Sequence, residues 1–202
     1  NIDADHMETY GHDFNRLKQT FVEFVQHLPF YGMAVLCMDD PNVREVMPQI
    51  TKPITTYGLS EYAQVRASDI RHHRNQMKFT AVVGVNGSAR NLDITLNLPG
   101  LHNIQNALAA IAVANEIGVP DAAIVKALSE FKGVERRFQQ YGEIKLSAQK
   151  SFTLIDDYGH HPTEIRATLS ALRDRYAKRR LVAVSTEPRH SASRSTVLSE
   201  SQ

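Results

Sequence analysis

The chain has 202 residues, 42% of them apolar, enough to fill a core and to exclude wholesale disorder. Lysine and arginine total 23 against 22 acidic residues, a net charge of +1, so nothing in the charge points to nucleic acid or an anionic membrane. One cysteine cannot form an internal disulfide, which fits a reducing cytoplasm, and no apolar run is long enough to span a bilayer.

In chain order, Phe14, Leu17, Phe21, Phe24, Val25 and Leu28 follow helical spacing, and Pro29 stops the run. Met33 to Met38 reads as a buried strand in which Cys37 is a small hydrophobe. Asp39-Asp40-Pro41 then opens a short helix carrying Val43, Val46 and Met47. Helix, strand and helix in that order predict a parallel-sheet layer. Val65 to Ile70, Met77 to Val85 and Leu92 to Leu96 read as strands, and Asn86-Gly87 is a hairpin signal that makes this middle part antiparallel.

The alanine-rich stretch from His102 to Ile117 reads as a helix closed by Gly118. A second helix is expected from Asp121 to Phe131, followed by a linker at Gly133-Val134-Glu135. Beyond it, Gln139 to Ile144 and Phe152 to Asp156 read as strands, Thr163 to Tyr176 as a helix and Leu181 to Val184 as a strand, a βαβ pattern. Ser185 to Gln202 is serine-rich without aromatics and is expected to be a disordered or loosely held tail. The chain begins at Asn1 without an initiator methionine or signal peptide, and it reads as a piece of a longer protein.

Four clusters can carry chemistry. Asp3-Ala4-Asp5-His6-Met7-Glu8 has the carboxylates and imidazole that suit a divalent metal, against the alternative of a solvated polar loop. Asn103 and Asn106 stand three apart at a helix start, so both lie on one face of the first turn. Their amides pair a donor with an acceptor, as reading a purine edge requires, and the alternative is capping by His102 or Asn103. Arg136 and Arg137 follow the linker and can grip phosphate oxygens, or form surface ion pairs. Asp156-Asp157-Tyr158-Gly159-His160-His161-Pro162 lies at a strand's carboxyl end, where open α/β sheets bind ligands. There Asp157 can hold ribose hydroxyls or a hydrated metal, and His160 or His161 can orient a charged substrate group. The alternative is an Asp helix cap beside an exposed histidine pair. Adjacent carboxylates there call for a counter-charge. Neither a Gly-x-x-x-x-Gly-Lys-Ser/Thr loop nor a Gly-x-Gly-x-x-Gly motif occurs.

Together these motifs resemble the Mur ligases, ATP-dependent amino-acid ligases of peptidoglycan synthesis. The resemblance is carried by Asp5-His6-Met7-Glu8-Thr9-Tyr10-Gly11, Leu28-Pro29-Phe30-Tyr31-Gly32, Leu98-Pro99-Gly100-Leu101-His102-Asn103, Arg136-Arg137-Phe138 and Asp156 to Pro162. It implies an α/β fold: the back half of the central ATPase domain, a mixed sheet with helices, over 1–134, and the start of a Rossmann-like C-terminal domain over 135–184. The tail, 185–202, is atypical, since Glu187-Pro188-Arg189-His190 departs from the family's basic segment there.

What the resemblance implies for function is ATP and Mg2+ as cofactors and, for the member these motifs fit best, UDP-N-acetylmuramate and L-alanine as substrates. It implies His6 as a magnesium ligand and, with Arg137, a catalytic residue. It implies Asn103, Asn106, Arg137 and Asp157 on the nucleotide, and Tyr158 and His160 near the amino acid. Domain closure would assemble the site. The parent is expected to be cytoplasmic, a homodimer of it is left open, and the fragment alone is expected to be inactive. Other readings are a ligase that recycles murein peptides and a non-catalytic nucleotide-binding module of the same fold.

Overall fold

The computed structural model describes residues 1–73, 76–84, 88–148, 150–185 and 195–200. It divides into two compact units, one of Asn1–Asn97 with Leu101–Phe131 and one of Leu98–Gly100 with Lys132–Gln202.

The first unit is built on a five-stranded sheet in chain order: β1 (Ala34–Cys37), β2 (Ile54–Gly58), β3 (Val65–His73), β4 (Gln76–Val83) and β5 (Arg90–Leu96). The first three strands run parallel and the last two pair antiparallel, with Phe79 opposite Ile94. The parallel layer and the antiparallel middle both match expectation, although the turn Asn86-Gly87 lies outside the described residues. Alternation explains the register: Leu92, Ile94 and Leu96 of β5 are buried, while Asp93 between them is exposed. β2 was not foreseen, because Ile54-Thr55-Thr56-Tyr57 does not alternate.

Helix α1 (Phe14–Gln26) starts on Asp13, whose side chain accepts from the N–H groups of Asn15 and Arg16. Its Leu17 and Val22 join Ile2, Val43 and Val46 in one buried cluster. Phe21 and Phe24 line a cleft of about 280 Å³ with Val25, Leu28 and β1. Helix α2 (Pro41–Val46) is capped by buried Asp40, which also accepts from the N–H of Ile2 and so pins the chain's first residues. Cys37 is buried in β1, as expected.

Helix α3 (Leu101–Glu116) packs on β1, β2 and β3, burying Ile104, Ala107, Leu108, Ile111 and Ala112, an i, i+3, i+4 stripe. Gly118 ends it at φ 73°, with Gly118 N–H to Asn115 C=O and Val119 N–H to Ala114 C=O, a Schellman closure. Helix α4 (Asp121–Glu130) lies against β5.

The second unit holds β6 (Gln139–Lys145), β7 (Ser151–Asp157), helix α5 (Pro162–Arg175), β8 (Arg180–Ser185) and β9 (Ser195–Glu200), in sheet order β6-β7-β9-β8. Phe138, Ile155, Ala171 and Leu172 form its core. Two expectations need correction. The stretch read as a loose tail contains a strand, since Thr196, Val197 and Leu198 suit extended backbone, and it satisfies its hydrogen bonds between two neighbours. β7 and β8 are consequently not direct partners, because β9 lies antiparallel between them. Among the described residues no helix is long and apolar enough to cross a membrane.

Candidate functional site

In the first unit, Asp39 sits just past the end of β1. Its carboxylate accepts from the N–H groups of Leu59 at 2.8 Å and Ser60 at 3.0 Å, past the end of β2, and from Gln105 Nε2 at 2.7 Å. One side chain thus ties two parallel strand ends to the start of α3. Its first two turns carry Asn103, half-buried, and Asn106, exposed. The helix begins at Leu101 after Gly100 at φ 97°, so His102 and Asn103 lie inside the first turn.

His6 lies in the same unit on the segment anchored by Ile2. It has φ 50° and precedes a 3-10 turn, Met7–Tyr10. Its side chain is 76% exposed, with Nε2 3.7 Å from Asp5 Oδ2. Among the described residues no group of three His, Cys, Asp or Glu side chains could by itself hold a metal ion. Asp5 and His6 can therefore offer only a partial shell. That is compatible with magnesium, which keeps several waters and is commonly held by one or two carboxylates plus phosphate; of the two, Asp5 is the better donor type.

In the second unit the structure brings Arg137, Asp157, Tyr158 and His160 together. Arg137 stands on a turn between Arg136 at φ 60° and Phe138 at φ 50°, two non-glycine residues in the left-handed region. Such backbone persists only where its surroundings over-determine it, and it clusters at functional sites. Here the surroundings are explicit. Arg136 N–H donates to Gln139 Oε1 at 2.8 Å, Tyr158 N–H donates to Arg136 C=O at 2.6 Å, and Phe138 N–H donates to Asp157 Oδ2 at 2.9 Å.

Asp157 is buried, and its other oxygen accepts from Gly159 N–H at 2.8 Å. It braces the loop to the arginine turn rather than projecting outward. Nor does it cap α5. His161 does so, its Nδ1 accepting from Thr163 N–H at 3.3 Å, while Glu164 accepts in return from His161 N–H. The reason is positional: Pro162 fixes the first helical residue, which leaves His161 as the cap. The counter-charge expected beside the paired carboxylates is Arg136, whose Nε is 3.9 Å from Asp156 Oδ2.

The guanidinium of Arg136 lies 4.7 Å from the Tyr158 ring centroid, and that ring meets His160 edge-on at 5.5 Å. His160 Nδ1 is 3.8 Å from Glu164 Oε2, and Glu164 Oε1 accepts from Arg137 Nη1 at 3.1 Å. Burial raises the Glu164 pKa, but Arg137 and the N–H groups of His160 and His161 outweigh it, so the carboxyl lies below its ordinary range.

Sequence reading missed Glu164, Asp39 and Gln105. Only Glu164 had a signal, since a glutamate three residues after a polar residue at a helix start is a capping box.

Residues 1–114 match the Mur ligase middle domain, and residues 136–200 match the Mur ligase glutamate ligase domain. The second match takes in most of the stretch read as atypical. A UDP-N-acetylmuramate–L-alanine ligase of Nitrosospira multiformis is 66% identical over 96% of the chain and 40% of its own length. One from Nitrosomonas eutropha is 67% identical over 96% of the chain and 41% of its own length. The crystal structure of UDP-N-acetylmuramate-alanine ligase MurC from Thermotoga maritima superimposes with a TM-score of 0.66 at 27% identity, over 87% of this chain and 37% of that one. The chain thus spans about 40% of the length of the curated relatives it matches. On the strength of both domain matches, this chain belongs to the Mur ligase family.

Proposed function

We propose that the complete ligase carrying this sequence joins L-alanine to UDP-N-acetylmuramate at the expense of ATP, a step of peptidoglycan synthesis. The observation that carries this reading is the 66% identity over nearly the whole chain to a ligase of that name. In this reaction ATP converts the lactyl carboxylate to an acyl phosphate, and the alanine amine displaces phosphate through a tetrahedral intermediate. Both steps build negative charge, which cationic groups stabilise best when they are already aimed.

Asn103 and Asn106 face the ATP base from the first two turns of α3, which Asp39 and Gln105 hold against the strand ends. Arg137 meets phosphate oxygens, and its strained, braced turn supports that role. Asp157 acts at the nucleotide by holding that turn. Tyr158 and His160 receive the amino acid. Asp5 and His6 would be the side chains that hold a magnesium ion. Magnesium, when bound, supplies further charge neutralisation on the phosphates.

The deciding assay measures ADP release by the complete ligase with ATP, magnesium and UDP-N-acetylmuramate, with and without L-alanine. Release that depends on L-alanine is expected. Release that requires a preformed peptide instead would assign the chain to a recycling ligase, and nucleotide binding without ligation would make it a non-catalytic module.

A further inference from the structure

Glu164 lies on the first turn of α5, and its two carboxylate oxygens do different things. Oε2 accepts from the N–H groups of His160 at 3.2 Å and His161 at 3.4 Å, which completes the helix start and fixes the loop. Oε1 serves no capping purpose. It reaches across 27 positions of sequence to Arg137 Nη1 at 3.1 Å. The Arg137 side chain remains half exposed, so a guanidinium with several further donors stays accessible while its orientation is held.

A helix cap alone needs one oxygen and no partner on another segment. We propose that Glu164 is a positioning residue that aims Arg137 and His160 together, one carboxylate setting the relative placement of the phosphate-binding and amino-acid-binding groups. The inference rests on the proposed ligase function, in which those two side chains meet those two substrates. Arg137 stands on a strained turn and His160 on a loop, and neither segment is a regular element. Glu164 belongs to a helix and is the rigid reference for both. Misplacing a binding group by about an ångström is enough to cost an enzyme an order of magnitude or more.

The test is a kinetic comparison of the complete ligase with its Glu164→Gln, Glu164→Ala, Arg137→Ala and Arg137→Ala/Glu164→Ala variants. Glutamine keeps the volume and one acceptor oxygen for the backbone N–H groups but loses the charge that faces Arg137. E164Q is expected to raise KM for ATP about tenfold and KM for L-alanine severalfold, with a smaller change in kcat, since the groups remain present but mis-aimed. The double variant is expected to bind ATP no worse than R137A, because Glu164 acts on the nucleotide through Arg137. Both KM values within about twofold of wild type in E164Q would overturn the proposal, as would additive ATP effects in the double variant. If E164A fails to fold, E164Q decides alone. Wild-type enzyme lacking L-alanine-dependent turnover would sink the ligase reading and this inference together; normal wild-type turnover with an unchanged E164Q sinks this inference only.

Discussion

A Cβ placed on Gly58 would stand 2.7 Å from Asp39 Oδ1 and 2.8 Å from both Asp39 Cγ and Oδ2. The carboxylate cannot retreat without giving up Leu59, Ser60 and Gln105. Gly58→Ala is therefore expected to destabilise the chain by about 1–3 kcal/mol, the usual range for overpacking against a fixed neighbour. Urea unfolding of the two proteins measures it. An unchanged midpoint would show that the Asp39 hub can relax.

Asp157 accepts the backbone N–H groups of Phe138 at 2.9 Å and Gly159 at 2.8 Å. Asp157→Ala should cost about 2–4 kcal/mol, since two hydrogen bonds to a buried charged group are lost. Its thermal midpoint is expected to fall along with any activity. Loss of nucleotide binding at an unchanged midpoint would mean that Asp157 acts on the ligand directly and not through the turn.

Glu164 gives the second unit an acid limb. Its carboxyl lies below the ordinary value of 4.5 in the folded chain, so its contribution is fully present above that value and fades as pH falls through the depressed native one. The unfolding midpoint of the wild type should drop over this window more steeply than that of Glu164→Gln, which has no proton to take up. Parallel pH profiles for the two would contradict the assignment.

Leu108 is fully buried in the stripe by which α3 rests on the sheet. Truncating it to alanine should cost about 2–5 kcal/mol through lost burial and a residual cavity. Because the asparagine-bearing turn belongs to the same helix, nucleotide affinity in the complete ligase should weaken with it. Calorimetric titration with ATP gives that second number.

Periodicity made much of this architecture legible. Helices α1, α3 and α5 and strands β4 and β5 carry apolar residues at spacings that one face of a core demands. β2 was hidden because its stability comes from outside itself. Thr56 N–H donates to Gln64 Oε1, and Gln64 N–H returns a bond to Thr56 Oγ1, so a side chain eight residues on finishes a strand that has no alternation of its own. Residue types placed chemistry in the loop Asp156 to Pro162, but not the division of labour inside it. Which residue caps follows from Pro162 beside it, but which acid braces depended on the arginine turn, whose Phe138 lies 19 positions from Asp157.

The cap on α5 also separates the two neighbouring histidines chemically. Because Nδ1 of His161 accepts the Thr163 N–H, that nitrogen must keep its lone pair, and the ring's single proton belongs on Nε2. An ion bound at Nδ1 would displace that bond at the start of the helix. His160 bears no such obligation to the helix backbone. Of two adjacent and identical side chains, one is turned into the helix start and the other faces Tyr158 C=O and the Glu164 carboxylate.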